Sequence, residues 1–424
     1  MRDLLLLLLL AGLVGAALYR PWLGVLGLAI IGYLRPFGYA TEALGDFPAF
    51  KVMAVAVVVS MLLHRETRSL TFYRDRLPLL RDWRVVVLAL LWGWMIVTSS
   101  LSMLPWYAWP KFFELTKILV AIGFTLLLVD TREKLLWLLL TMALGIALVA
   151  FKGGYWAVMT GAADRVLGPP GSHFAGNNEF AVLNIMNIPL LALWLRRRKD
   201  PLLRTLLAVL IALSAFAALT SWSRGALLSL TATALLLLWH SPRKLITVPV
   251  AALAGVIALS GMPEDWVARM QTIETFEEDQ SAQGRLTAWR NGLRFAARQP
   301  IFGTGPNGWV LAGWRDFHSA YIEMLAENGV VGFGLWLALL AGTIAALTRL
   351  AWRARRLPGR EWVTEVGWAV RASLVAYAVG ALFLGIAYWD ILFHLILISV
   401  VLTHISGMER TDQPAHARSS PGAR

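Results

Sequence analysis

The chain has no cysteine. That excludes a disulfide framework, a thiolate nucleophile and any cysteine-ligated metal. Charge is also scarce: Asp, Glu, Lys and Arg make up 15% of the 424 residues, against roughly 25% in soluble domains. The seven histidines show no H-x-x-x-H or H-x-x-E-H spacing, and no Asp-x-Asp pair marks a divalent metal–diphosphate site. No P-loop or dinucleotide-binding glycine pattern stands in a suitable context, so ATP and NAD are not indicated. The reading therefore expects no metal and no cofactor.

What is abundant is apolar. Hydrophobic residues make up 58% of the chain and the mean hydropathy is +0.62, which predicts an all-α polytopic membrane protein. Apolar runs at 47–63, 85–103, 114–129, 135–159, 179–195, 205–221, 225–240, 245–261, 319–349, 366–386 and 388–405 read as eleven spans. Residues 4–18 and 21–34 are each short and read as one interrupted crossing, giving about twelve transmembrane helices. Leu4–Leu10 resembles a signal-peptide core, but no clear small-residue cleavage site follows, so it reads as retained. The net charge of +13 does not point to nucleic acid. The arginines sit in short loops between apolar runs, as the positive-inside rule predicts, and twenty tryptophans fit interfacial belts.

Placing the basic loops inside, among them the six arginines of Arg65–Arg84, puts 35–46, 104–113, 161–178, 222–224, 262–317 and 386–388 outside. The expected organisation is N-terminal transmembrane helices over 1–261, a helical periplasmic segment over 262–317, C-terminal transmembrane helices over 318–407 and a disordered cytoplasmic tail over 408–424. Candidate chemical groups from separate parts of the chain then share one surface: Arg165, His173, Arg224, Arg285, His318 and Asp390.

The 262–317 segment starts acidic and turns basic. Glu264–Asp279 and Gly284–Gln299 are candidate surface helices, the second closed by Pro300. Arg290, Arg294 and Arg298 recur every four residues on one helical face and read as a solvated or headgroup-facing stripe. Arg285 lies off that stripe and is the better functional candidate. Arg224, between two apolar runs with almost no loop, reads either as snorkelling to headgroups or as a phosphate clamp, since a guanidinium binds phosphate oxygens bidentately. Asn177 and Asn178 read as caps of the next helix. Asp390 reads as an arginine's partner or an acceptor-orienting carboxylate. His318 opens a helix that carries Tyr321 and, one turn apart, Glu323 and Glu327. It is either a local capping histidine or a general base, because a neutral imidazole accepts a proton near neutral pH.

The run Gln299-Pro300-Ile301-Phe302-Gly303-Thr304-Gly305-Pro306, followed by His318-Ser319-Ala320-Tyr321-Ile322-Glu323-Met324-Leu325-Ala326-Glu327-Asn328-Gly329-Val330-Val331-Gly332, resembles the signature of the O-antigen ligase and polymerase superfamily. Ser223-Arg224-Gly225-Ala226 and Gly284-Arg285 before Trp289 also fit its ligase-like members. The first ~130 residues look like the N-terminal part of the O-glycosylation ligase subgroup.

This resemblance implies an inner-membrane glycosyltransferase with its active site facing the periplasm. Such enzymes take a glycan from undecaprenyl diphosphate and pass it to a lipid A–core sugar hydroxyl, to another lipid-linked repeat, or to protein Ser/Thr. It further implies a metal-independent, inverting reaction, with His318 matching the catalytic histidine and Arg224 and Arg285 the essential arginines. Arg165, Asp390 and Tyr321 are substrate-binding candidates. The expected partners are the lipid-linked donor, the lipid A–core acceptor and membrane lipids. A transporter or flippase for an anionic lipid is the competing class, although such proteins usually place polar sites near the midplane with internal repeats. A membrane scaffold whose outer loop binds a partner is the weakest alternative.

Overall fold

The computed structural model describes residues 1–45, 47–239, 244–271, 280–313 and 316–411. Among these residues there is helix and no strand. The longer helices are α1 (Arg2–Tyr19), α2 (Pro21–Ala29), α3 (Ala49–Leu63), α4 (Leu70–Leu80), α5 (Trp83–Ser100), α6 (Pro105–Leu128), α7 (Arg132–Met159), α8 (Asn177–Arg197), α9 (Pro201–Leu219), α10 (Arg224–Trp239), α11 (Lys244–Ser260), α12 (Glu264–Gln271), α13 (Gln280–Arg298), α14 (Ala320–Ala354), α15 (Glu361–Gly380) and α16 (Asp390–Thr411).

Among the described residues eight helices are long and apolar enough to cross a membrane: α1, α2 with its continuation to Tyr39, α5, α7, α8, α9, α14 and α16. A ninth arises if Thr247–Ser260 and Glu264–Gln271, bent by 108° to each other, count as one. That is fewer than the twelve expected, for a physical reason. α3 and α10 have only 15 and 16 residues. α6 carries Lys111, Glu114 and Lys117, and α15 carries Glu361, Glu365 and Arg371. α15 tolerates this because much of its surface is buried among other helices, where Arg371 reaches the Thr348 hydroxyl at 3.3 Å and the Trp368 ring at 3.7 Å. α8 and α16 form the centre, each with 78% of its span buried.

The N-terminal region departs from the expected single interrupted span. Arg20 is extended (φ −146°, ψ 121°), and Pro21 starts a new helix, a position where its missing N–H costs nothing. α1 and α2 then pack on each other and on α3. Asp3 accepts from the Thr41 amide at 3.1 Å, while at the far end of α1 the Ser60 hydroxyl donates to the Ala17 carbonyl at 2.6 Å. α1 therefore runs parallel to α3 with α2 returning between them. The first residues lie on the same face as 35–45.

Elsewhere the alternation of faces holds. On one face, Arg76 pairs with Asp130 at 2.7 Å, Arg197 with Glu365 at 2.7 Å, and Arg360 donates to the Ser406 carbonyl at 2.5 Å. On the other, Val166 donates to the Thr220 carbonyl at 3.2 Å, Asn177 to the Ser221 carbonyl at 2.7 Å, and Ala320 to the Ala381 carbonyl at 2.9 Å. Of the expected cytoplasmic tail, α16 covers residues to Thr411, and 412–424 lie outside the described residues. The acidic positions Glu274, Glu277, Glu278 and Asp279 lie outside them too.

Candidate functional site

α13 is amphipathic. Ala288, Gly292 and Ala296 lie on its inner side, whereas Arg290, Arg294 and Arg298 are exposed. The inner stripe brings the helix close: a methyl group on Gly292 would lie 2.3 Å from the Ile322 side chain and 3.0 Å from the Phe317 ring. Trp289 donates to the His318 carbonyl at 3.4 Å, and Phe295 meets Phe317 edge-on at 6.3 Å. Arg285 precedes Gly292 by seven residues, which at 100° per residue puts it on this inner face. It is half-buried and close enough to Asp316 and Glu179 to lower the proton affinity of Asp316.

α14 is broken where the site needs it. Gly329 takes φ 64° and ψ −172°, and a methyl group there would meet the Ile301 carbonyl at 1.9 Å. The turn 299–306 fills the break. Thr304 and Gly305 donate to the Ala326 and Glu327 carbonyls at 2.9 Å each, and Val330 donates to the Pro300 carbonyl at 2.8 Å. Trp94 donates to the Asn328 carbonyl at 2.8 Å. Backbone groups that the helix abandons are thus paired, as burial requires. The same segment accounts for the two glutamates. Glu323 accepts from the Ala387 amide at 3.0 Å and Glu327 from the Tyr388 hydroxyl at 2.6 Å, so both brace the 381–389 loop rather than an arginine.

His318 precedes this helix by two residues and is itself in the left-handed region (φ 47°). Its Nδ1 lies 2.7 Å from Asp316 Oδ1, which also accepts the His318 amide at 2.8 Å. Burial alone would push the Asp316 carboxyl up. The hydrogen bonds and charge of His318, with Arg285 nearby, outweigh it and hold the carboxyl below its ordinary value. An ionised carboxylate only accepts, so in the neutral ring Nδ1 carries the hydrogen and Nε2 the lone pair. Asp316 and Glu179 were missed in the sequence. A carboxylate two residues before a candidate base was the available signal for Asp316; Glu179 reaches the cluster only through tertiary packing.

Arg224 is half-buried at the start of α10, where the Ser223 hydroxyl accepts from the Ala226 amide at 3.2 Å. A methyl group on Gly225 would touch Phe383 at 3.0 Å, and Phe383 in turn lies 6.5 Å from the Trp289 ring. One aromatic layer therefore separates the start of α10 from the His318 segment. Asn177 does not cap α8; Gly176 holds the cap position, and Asn177 ties the helix to the Ser221 carbonyl.

The remaining candidates have other partners. Arg165 is exposed beside the turn that leads into α10, 5.9 Å from the Trp222 ring, at a cavity of about 320 Å³ that Tyr39, Lys152 and Trp156 also line. Asp390 lines a different small cavity with Tyr33, Thr125 and His394. Tyr321 donates to the Ala378 carbonyl at 2.9 Å and packs edge-on against Trp336, so it joins α14 to α15. His173 bonds Glu114 at 2.9 Å. Among the described residues no three His, Asp or Glu side chains converge as a metal site.

Residues 207–337 match the family described as O-antigen ligase. This region belongs to the O-antigen ligase superfamily. The matched O-antigen ligase region contains Arg224, Arg285, Asp316 and His318, whereas Arg165 and Asp390 fall outside it. Residues 1–200 match a family of unknown function. That match ends in the turn between α8 and α9, and the O-antigen ligase match begins inside α9. No curated protein matches the chain.

Proposed function

We propose that this membrane glycosyltransferase moves a glycan from undecaprenyl diphosphate to a lipid A–core sugar hydroxyl. His318 acts as general base, without metal and with inversion. The observation that carries the reading is the Asp316–His318 pair beside Arg285, inside the O-antigen ligase region. Nε2 of His318 takes the proton of the acceptor hydroxyl as its oxygen attacks the anomeric carbon. The bond from that carbon to the diphosphate breaks on the opposite side, and undecaprenyl diphosphate leaves. Arg285 and Arg224 bind the charge that grows on it. One such donor is worth about 2.7–4 kcal/mol by analogy with an oxyanion hole. Asp316 holds the ring in the tautomer that the step needs. Arg165 fits a secondary contact to the lipid headgroup, while Asp390 and Tyr321 support the scaffold.

The same reading sets the topology. Counting α3, α6, α10 and α15 with the eight apolar helices and the bent pair gives thirteen crossings, one more than expected because α1 and α2 each cross. The basic loops then face the cytoplasm, and the N-terminus shares the periplasmic face with the site, in the inner membrane. Protein O-glycosylation and glycan polymerisation use the same donor chemistry and differ in the acceptor.

The test is transfer by purified enzyme from undecaprenyl-diphosphate glycan to lipid A–core, to a lipid-linked repeat and to a pilin-like protein, offered separately. Product with lipid A–core alone supports the proposal, and product with another acceptor reassigns it. His318→Ala should abolish transfer with expression intact. Near-normal transfer by that variant would remove His318 as the base.

A further inference from the structure

A second cavity, of about 100 Å³, lies on the other side of the 381–389 loop from His318. Gly385 is the shared wall. It lines the cavity, and a methyl group on it would lie 3.0 Å from Asp316 Oδ2. Lys111 and Glu114 of α6, His173 of the 160–176 loop, and Trp389 complete the rim. Glu114 is 3.2 Å from Lys111 Nζ and 2.9 Å from His173 Nε2, and Lys111 lies over the Tyr388 ring at 5.7 Å. The buried Glu323 closes the cavity from below. None of the rim residues takes part in the transfer step described above.

The charges decide what fits. The ammonium of Lys111 is already matched by Glu114, so a phosphate would meet the Glu114 carboxylate with little positive charge to spare. The rim instead sets donors (Lys111, His173) beside an acceptor (Glu114), the pattern that neighbouring hydroxyl groups satisfy in both directions. The volume, about three waters at ~30 Å³ each, admits one edge of a sugar ring and not a whole glycan. We propose that this cavity is a sugar subsite that binds hydroxyl groups of one of the two glycan substrates while its reacting atom lies at His318. The proposal rests on the glycosyl-transfer reading and adds a specificity site to it.

Footprinting on the wild-type full-length protein in nanodiscs tests it directly. His173, with 41% of its side chain exposed, should react with diethyl pyrocarbonate. Undecaprenyl-diphosphate-linked oligosaccharide or lipid A–core, added separately, should slow that reaction at least fivefold, with His64 on the opposite face unchanged. The protecting glycan identifies which substrate the cavity takes, and unchanged His173 reactivity with both would overturn the proposal. Kinetics supply the second readout. Glu114→Gln should raise KM for the protecting glycan about tenfold and leave kcat within twofold. A fall in kcat alone, or an equal loss towards both glycans, would reduce Glu114 to a tether of the 160–176 loop and also overturn it. Wild-type protein that forms no glycosidic product would sink the transfer reading, whereas the footprint reports binding alone and so judges the cavity separately.

Discussion

With its Nδ1 2.7 Å from Asp316, His318 can offer a substrate only Nε2. Asp316→Asn keeps the shape but can present its amide hydrogens to Nδ1, which favours the wrong tautomer. We expect kcat to fall by roughly 10²–10⁴-fold with little change in KM, measured by product formation under saturating substrates. The carboxyl of Asp316 is held below its ordinary value, so it stays ionised from pH 5 to 8 and an acid limb in that range has another source. Its folded value lies below that of the unfolded chain. The hydrogen bonds that Asp316 accepts from His318, with the nearby charge of Arg285, therefore stabilise the fold above the ordinary carboxylate range, and this contribution is lost as pH falls through the folded value. The melting-temperature gap between wild type and Asp316→Asn should be present at pH 7 and shrink towards pH 3. Arg224→Lys and Arg285→Lys keep the charge and lose the fork, and each should cost about tenfold or more in kcat. Full activity in either would argue against bidentate phosphate binding. His318, Arg224 and Arg285 stood out as candidates because their residue types stand in unusual settings: a histidine before an apolar run, an arginine between two such runs, and an arginine off a helical stripe. The bond from Tyr321 to Ala378 was not legible, because its partner is a backbone carbonyl 57 residues away, which no local pattern announces.

α13 and α14 show how periodicity is read and where it stops. Arg290, Arg294 and Arg298 do form an exposed stripe, as four-residue spacing predicts, and the opposite face packs. Replacing all three by Gln should leave kcat within about twofold in the same transfer assay. No local pattern around Gly329 announces a break in the helix. Its positive φ follows from the turn 299–306 docking against the helix, a contact between separate segments. Gly329→Ala should destabilise the protein by at least ~1–3 kcal/mol, seen as a lower melting temperature. Gly334→Ala, which meets nothing within 4 Å, should not. Equal behaviour of the two variants would contradict the broken helix.

Across the whole molecule, hydropathy and basic loops were enough to sort the polar loops onto two faces, because lipid forces the chain to cross in helices. Hydropathy alone does not resolve the N-terminal end: α1 and α2 are each near the minimum span length, and only their packing against α3 separates a hairpin from one interrupted helix. The absence of native cysteine makes this testable. Single cysteines at Glu42, Ala163 and Arg2 should react with an impermeant maleimide from the periplasmic side, and those at Arg68 and Arg356 only after permeabilisation. Labelling of the Arg2 variant only after permeabilisation would restore a single N-terminal crossing. The break at Gly329 also has a mechanical consequence. Because the 299–306 turn supplies hydrogen bonds that α14 itself lacks, lifting the outer segment would unravel a membrane helix. The 299–306 turn is anchored as a roof and not as a hinged lid, and the proposed transfer reaction then has its long lipid substrates approach His318 sideways, out of the bilayer.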